Sequence, residues 1–264
     1  MAFLLGETGE RRGLMSTAQV RCEELVSVDR VWHLRQTGLT DGLPLTDLNA
    51  VLSACIDRIY SKGEVIFDQG DPVDSLFILN RGCIRISAVN PDDREKILAI
   101  YTSGILGENL LGPKEHFEAR ATAHEESWVS IVSREQFLIL IQQRVAIALN
   151  YAKILSQRLL EAREDIKSHS FLDTECRLAK VLLSLAERHG KPLLGNGDMI
   201  KLKITLSHEH LAQLVGGNRP HVSMIMSKFK RKEWIQYQGR KLLIHREKMA
   251  GLLPAPDNGV PSPQ

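Results

Sequence analysis

Cysteine is scarce in this chain, and the four that occur (Cys22, Cys55, Cys83 and Cys176) show no CxxC spacing. That argues against a zinc site or a disulfide framework, and for reduced, mostly buried thiols in a cytoplasmic protein. Long apolar runs are missing too: none reaches the roughly 18–20 residues that a membrane span needs. The opening Met1-Ala2-Phe3-Leu4-Leu5 has no positive charge before it and turns polar at once, so no secretory signal is expected. No nucleophile–base pair and no metal-ligand spacing stand out, which speaks against an enzyme, a metal site or a cofactor. His208-Glu209-His210 sets two histidines two residues apart, and on a helix these point to different faces, unlike HExxH. Helix capping and phosphate contact are the roles expected of that segment. Glycine and proline, finally, are absent from residue 134 through residue 189.

What is present is a charge asymmetry. The 264 residues carry a formal net charge of only +2. Residues 171–250 hold 15 Lys/Arg against 7 Asp/Glu, while the rest of the chain holds 19 against 25. A basic C-terminal third beside an acidic remainder is the electrostatic footprint of a nucleic-acid module joined to something else.

The chain divides by pattern. Residues 1–40 form an N-terminal extension, partly mobile, with helix expected at Val20–Val31. From 41 to 133 short strands alternate with Gly, Asn and Pro/Asp turns: Glu64–Phe67, Ser75–Leu79, Cys83–Val89, Lys96–Tyr101 and Trp128–Val132. Such even spacing indicates a small antiparallel barrel or sandwich. Ser133, with Gln136 three residues on, starts a helical stretch spanning 134–170. Within it Val145, Ala148, Ala152, Leu155, Leu159, Ala162 and Ile166 repeat at spacings of 3 and 4. That stripe is either the packed face of an amphipathic helix or a dimer seam of roughly 33 Å. Alanine at three positions favours the seam, because it lets two helices approach closely. A second helix is expected at Thr174–Arg188, then a loop at Gly190–Asp198, then a strand at Lys201–Ile204. Residues 251–264 hold four prolines and read as a disordered tail.

Between these lies a compact constellation. Ser207 can cap a helix His208–Val215 that Gly216-Gly217 ends. Asn218 caps a second helix with Pro220 in its first turn, where a missing N–H is harmless. Val222, Ile225, Met226 and Phe229 share one face, and Arg219, His221, Ser223, Met224, Lys228 and Lys230 lie opposite. Two short helices joined by a tight glycine turn, the second opening on an arginine, form a helix-turn-helix. Trp234–Tyr237 and Lys241–His245 flank Gln238-Gly239-Arg240 as a wing, and the assembly spans 171–250.

From about Leu45 to Arg246 the chain resembles the cAMP receptor protein / fumarate-nitrate reduction regulator (CRP/FNR) family. The resemblance rests on Ile204-Thr205-Leu206-Ser207, Leu211-Ala212-Gln213-Leu214-Val215-Gly216, Asn218-Arg219-Pro220-His221-Val222-Ser223 and, at the hinge, Phe171-Leu172-Asp173. It implies an α+β protein: an N-terminal cyclic-nucleotide-binding-type β-roll, a long dimerisation helix and a C-terminal winged helix-turn-helix. It also implies a cytoplasmic homodimer that regulates transcription on a near-palindromic site in double-stranded DNA, with RNA polymerase as a further partner. Arg219, Pro220 and Met224 take the base-reading places. Ser207, His208, Asn218, His221, Ser223 and Arg240 take places that touch phosphates or bases. Pro220 and Met224 stand where the family often has Glu and Arg, so the preferred half-site is expected to differ.

The ligand cassette departs further. Gly107-Glu108 resembles its start, but Phe117-Glu118 stands where the family's nucleotide binders need Arg-Ser. Glu118 repels a phosphate, and Arg120 is two or three residues out of place. Ala162 and Arg163 replace the family's adenine-contacting Thr-Ser. The cassette Gly107, Glu108, Phe117, Glu118, Arg120, Ala162 and Arg163 is therefore read as degenerate, and the regulator as independent of cAMP. Two alternatives remain: a regulator gated by another small ligand in the β-roll, and a ligand-binding regulatory subunit whose basic domain docks a protein.

Overall fold

The computed structural model describes residues 30–90, 95–193 and 196–254. The expected helix Val20–Val31 falls almost wholly outside these residues, as do Cys22 and all but the first four residues of the predicted tail. Residues 30–35 are helical, and Leu34 and Leu39 are buried. The Thr37 and Thr40 hydroxyls both donate to the Leu34 carbonyl, at 2.6 and 2.9 Å, and close the turn behind that helix. The end of the predicted extension thus packs into the β-roll core.

Helix α1 (Leu45–Ser53) leads into eight strands: β1 (Ile56–Tyr60), β2 (Val65–Phe67), β3 (Ser75–Arg81), β4 (Ile84–Val89), β5 (Glu95–Tyr101), β6 (Gly104–Leu106), β7 (Arg120–Ala123) and β8 (Ser127–Ser133). They form two antiparallel sheets, ordered β1-β8-β3-β6 and β2-β7-β4-β5. Between them lies a core of apolar strand residues, the arrangement in which each sheet hides its apolar face. The fold class expected from sequence is the one observed. Three strands escaped the pattern. β1 is an edge strand buried only at Tyr60, β6 is three residues long, and β7 reads Arg-Ala-Thr-Ala, which carries little strand preference.

The stretch 134–170, expected as one helix, is two: α2 (Arg134–Gln143) and α3 (Val145–Phe171), bent by 114°. No glycine or proline marks the break. Arg144 leaves helical geometry (φ −136°, ψ 87°), and its Nε donates to Asp47 Oδ1 on α1 at 3.1 Å. A tertiary tie therefore fixes the corner. α3 buries Ile147 and Tyr151, one turn apart, with Ile154 and Arg158 half-buried further along the same face.

Past Phe171, Asp173 caps α4 (Thr174–His189) by accepting from the Cys176 N–H at 2.8 Å. The region expected to be a loop, Gly190–Asp198, is instead largely hairpin: β9 (Gly190–Leu193) pairs with β10 (Asn196–Leu202). Its glycines disguised it. Gly190 is where the sheet meets helix α4: a Cβ there would sit 2.2 Å from the Ala186 carbonyl. Helices α5 (His208–Val215) and α6 (Arg219–Arg231), strands β11 (Ile235–Gln238) and β12 (Lys241–His245), and α7 (Arg246–Ala250) complete the chain. The sheet order is β11-β12-β10-β9. The second core draws Cys83, Ile97 and Ile100 from the β4–β5 side of the β-roll. Among the described residues no single helix is long and apolar enough to cross a membrane.

Candidate nucleic-acid interface

The α5–α6 unit is set by local chemistry. Ser207 Oγ accepts from the His210 N–H at 3.1 Å and His210 Nδ1 accepts from the Ser207 N–H at 3.3 Å, a capping box. Gly216 ends α5 at φ 66°, a left-handed conformation that suits glycine. Asn218 Oδ1 accepts from the His221 N–H at 2.9 Å, and Pro220 sits in the first turn of α6. Both caps use side-chain oxygens as acceptors. The Ser207 O–H and the two Asn218 amide N–H groups thereby stay available as donors at exposed positions.

α6 buries Val222, Ile225, Met226 and Phe229 and exposes Arg219, Pro220, His221 and Met224. Arg240 is exposed at the tip of the β11–β12 hairpin, beside Gly239 at φ 60°. The arrangement presents cations and hydrogen-bond donors around a protruding helix, the surface that a phosphate backbone and a major groove require. His208 is disposed differently from Arg219. Its Nδ1 lies 2.9 Å from Ser223 Oγ and its Nε2 lies 3.2 Å from Tyr237 OH. One ring therefore ties α5, α6 and β11 together, and both it and Ser223 have partners inside the fold. Burial, and then the Arg219 charge, push the His208 pKa down, so its ring is neutral at pH 7.

Two further ties hold the unit. Arg177 on α4 donates to the Leu172 carbonyl (2.8 Å), the Val215 carbonyl (3.3 Å) and Thr174 Oγ1 (3.2 Å), closing the hinge. On the β-roll side His124 Nε2 lies 2.8 Å from the Thr205 carbonyl, and Arg85 pairs with Glu95 at 3.0 Å while Gln213 donates to Glu95 at 3.4 Å. The His124 and His210 rings meet edge to face at 4.9 Å. Burial, with His124 and Arg85 adding to it, lowers His210 to about 4.

Gly107 (φ 75°) turns the chain where an added Cβ would lie 2.9 Å from the Ser75 carbonyl. Glu108 is ion-paired with Arg158 of α3, whose guanidinium also lies 4.6 Å over the Tyr101 ring. The Glu108 carbonyl accepts from Tyr151 OH at 2.5 Å. Phe117 is 5% exposed and stacks on Phe67 with 3.9 Å between centroids. Glu118 is exposed and paired with Lys114. Arg120 makes a two-pronged contact with Asp68, 2.8 Å on each arm, and that bond holds the Asp68 carboxyl below its usual range. Ala162 and Arg163 are exposed on α3. Sequence reasoning missed Arg158, Arg177 and Tyr237. A signal for Arg158 existed, in the stripe 147, 151, 154, 158 that runs beside the seam at spacings of 4, 3 and 4.

The seam residues Val145, Ala152, Leu155, Leu159, Ala162 and Ile166 are exposed and Ala148 is partly so. The helix packs on its own domain through the other stripe. No group of three or more His, Cys, Asp or Glu able to hold a metal occurs among the described residues.

Comparison with known proteins agrees with this architecture. Residues 57–144 match the cyclic nucleotide-binding domain family and residues 176–252 the Crp-like helix-turn-helix domain family. The chain is 29% identical over 213 residues to a CRP-like cAMP-activated global transcriptional regulator of Mycobacterium tuberculosis, covering 80% of this chain and 93% of that one. It is 29% identical over 194 residues to the cyclic AMP receptor protein of Thermus thermophilus, covering 73% and 85%. Among solved structures it resembles a CooA mutant from Carboxydothermus hydrogenoformans (25% identity, TM-score 0.66, 81% of this chain and 98% of that one). FixK2 from Bradyrhizobium japonicum shares the fold at 19% identity (TM-score 0.68, covering 76% and 98%). A β-roll, a long helix and a winged helix-turn-helix in this order, each half matched by its own domain family, make the chain a member of the CRP/FNR family of DNA-binding transcription regulators.

Proposed function

We propose that this chain is a cytoplasmic, homodimeric, site-specific regulator that binds its operator without cAMP. Two copies pair along the exposed stripe Val145–Ile166 and deliver two α6 helices to successive major grooves, roughly 34 Å apart on a near-palindrome. Arg219 reads a guanine, and Ser207, Asn218, His221 and Arg240 position the backbone. RNA polymerase is the further partner this reading implies. No catalytic role is assigned.

The observation that carries cAMP independence is the occupancy of the cassette by the chain's own groups. The relatives named above are described as cAMP-activated or as cAMP receptors. Here the phosphate-facing places hold a stacked phenylalanine and an exposed glutamate. The nearest arginine, Arg120, is committed to Asp68. Extracting that arginine would leave Asp68 unpaired, and a cyclic phosphate beside Glu118 would meet a like charge.

A gel-shift titration on selected palindromes, with and without cAMP, tests this reading. Equal affinity in both arms is expected, and absolute dependence on cAMP overturns it. Arg219→Ala should lose about 1–3 kcal/mol per half-site and relax one base position. Unchanged operator binding by that variant would remove Arg219 from the reading role.

A further inference from the structure

Resting on the reading of α6 as the DNA-reading helix, we infer that Met224, with Pro220 one turn before it, reads thymine 5-methyl groups. The half-site then combines a guanine at Arg219 with a thymine within about two base pairs of it.

Helix α6 carries an exposed stripe that folding does not explain. Val222, Ile225, Met226 and Phe229 are 0–3% exposed and complete the inward face of α6. Met224 is 62% exposed and belongs to no core. The outermost ridge of the helix runs Pro220, Met224, Ser227, Arg231 at spacings of 4, 3 and 4, and all four are exposed. Its first two members have no side-chain donor or acceptor except the weakly accepting Met sulfur. The hydroxyls nearby are occupied: Ser223 by His208 Nδ1 at 2.9 Å, and Ser227 by donation to the Ser223 carbonyl at 2.8 Å. The tip of the ridge therefore meets its partner through apolar contact.

The surroundings say which partner. Arg219 adjoins Pro220 and is exposed, and Lys230 and Arg231 are exposed in the last turn of the same helix, where Lys228 is paired with Glu175 at 2.6 Å. An apolar point on a helix that carries cations at both ends suits a polyanion whose recessed surface carries one apolar group. In the major groove that group is the C5-methyl of thymine. Spacing agrees. Five residues from Arg219 to Met224 advance about 7.5 Å along the helix, roughly two steps of 3.4 Å along the duplex.

The test removes the methyl and nothing else. The full-length protein is first used to select its operator from random duplexes. Each thymine in a half-site is then replaced singly by deoxyuridine, and binding of wild type and Met224→Ala is measured. One position should lose about four-fold in affinity when its methyl is removed, and about fifteen-fold when both half-sites are altered. Met224→Ala should bind the thymine and uracil operators equally. Because Met224 lies outside the core, that variant should fold, and the wild-type arm stands without it. If wild type is indifferent to every methyl, or if Met224→Ala keeps the thymine preference, the inference is overturned while the proposed function survives. If no operator is selected at all, both fall.

Discussion

The reading head and the cassette are built from the same kinds of residue, yet they dispose of their charges in opposite ways. In the reading head, Arg219 on α6 and Arg240 on the wing have no ion-pair partner among the described residues, and the two caps of α5 and α6 spend their acceptors while leaving donors exposed. In the cassette, Glu108 is tied to Arg158, Arg120 to Asp68 and Glu118 to Lys114, and Phe117 fills the interior. Unspent charge at a surface is what a polyanion can use. Charges already paired must be separated before they serve a ligand; for the partly buried Glu108–Arg158 pair that separation is costly, whereas the exposed pairs of Arg120 and Glu118 are weaker ties.

Delivery of two reading heads requires that α3 present a seam. Replacing Leu155 and Leu159 together by Glu puts four like charges into the paired interface of two copies. The double variant should sediment as a monomer and lose roughly 100-fold or more in affinity for a palindrome, because the second half-site is no longer bound at high effective concentration. Both side chains are exposed in the single chain, so its fold should survive, and circular dichroism should match wild type. A dimer that persists would place the interface elsewhere.

The cassette itself gives a second test. If Phe117 is core rather than a vacated ligand position, Phe117→Ala should destabilise the chain by about 3–5 kcal/mol in urea unfolding. Glu118→Ala next to it, exposed and paired only with Lys114, should change stability by under about 0.5 kcal/mol. Equal effects at the two positions would blur the distinction between the regions.

The junction of the two regions should respond to acid. Burial lowers His189 to about 4, and its Nδ1 lies 2.9 Å from Thr102 Oγ1 across the β-roll boundary. A histidine whose folded pKa lies below the unfolded value of about 6.5 favours folding above that value. That contribution is lost as pH falls from about 6.5 toward 4, because the unfolded chain then binds the extra proton. His210 shifts in the same direction. Stability should therefore drop over that window, by on the order of 2 kcal/mol for His189. His189→Gln should flatten the drop in thermal unfolding scans between pH 7 and 4.5. An unchanged profile would mean that another group carries the titration.

These contrasts were unevenly legible in the sequence. Periodicity and capping chemistry gave α4 and α5 nearly to the residue and the start of α6, because each has a strong start signal, and the apolar stripe of α3 but not its separate start. The wing and five β-roll strands followed from turn residues. What failed were features set by distant partners. Arg144 breaks a helix through Asp47, 97 positions away, and Gly190 lies where β9 meets α4 rather than in a loop. At the site, the positions of Arg219 and Met224 could be read, but the pairing of Arg120 with Asp68 could not, since a sequence shows which charges exist and not which have met.

His208 is the case where position and use diverge most, and it gives the smallest expected effect. By resemblance it occupies a phosphate-touching place. In the fold it joins Ser223 and Tyr237, with its pKa pushed down by burial and then by Arg219. A neutral ring offers one donor and one acceptor, and two hydroxyls can complement either tautomer. The ring thus acts as a positioning residue that holds α6 at a set angle to the wing. Each such hydrogen bond contributes about 0.5–1.5 kcal/mol, so His208→Ala should weaken operator binding by roughly three- to ten-fold. Its diagnostic lies in salt dependence. Loss of a phosphate contact shifts the slope of log K against log salt by about 0.9. Loss of a positioning residue leaves that slope in place and erodes the preference for operator over random duplex. His208→Gln, which can still bridge one hydroxyl, should restore part of that preference. A slope lowered by about one, with selectivity intact, would return His208 to the phosphate backbone and leave α6 held by its buried face alone.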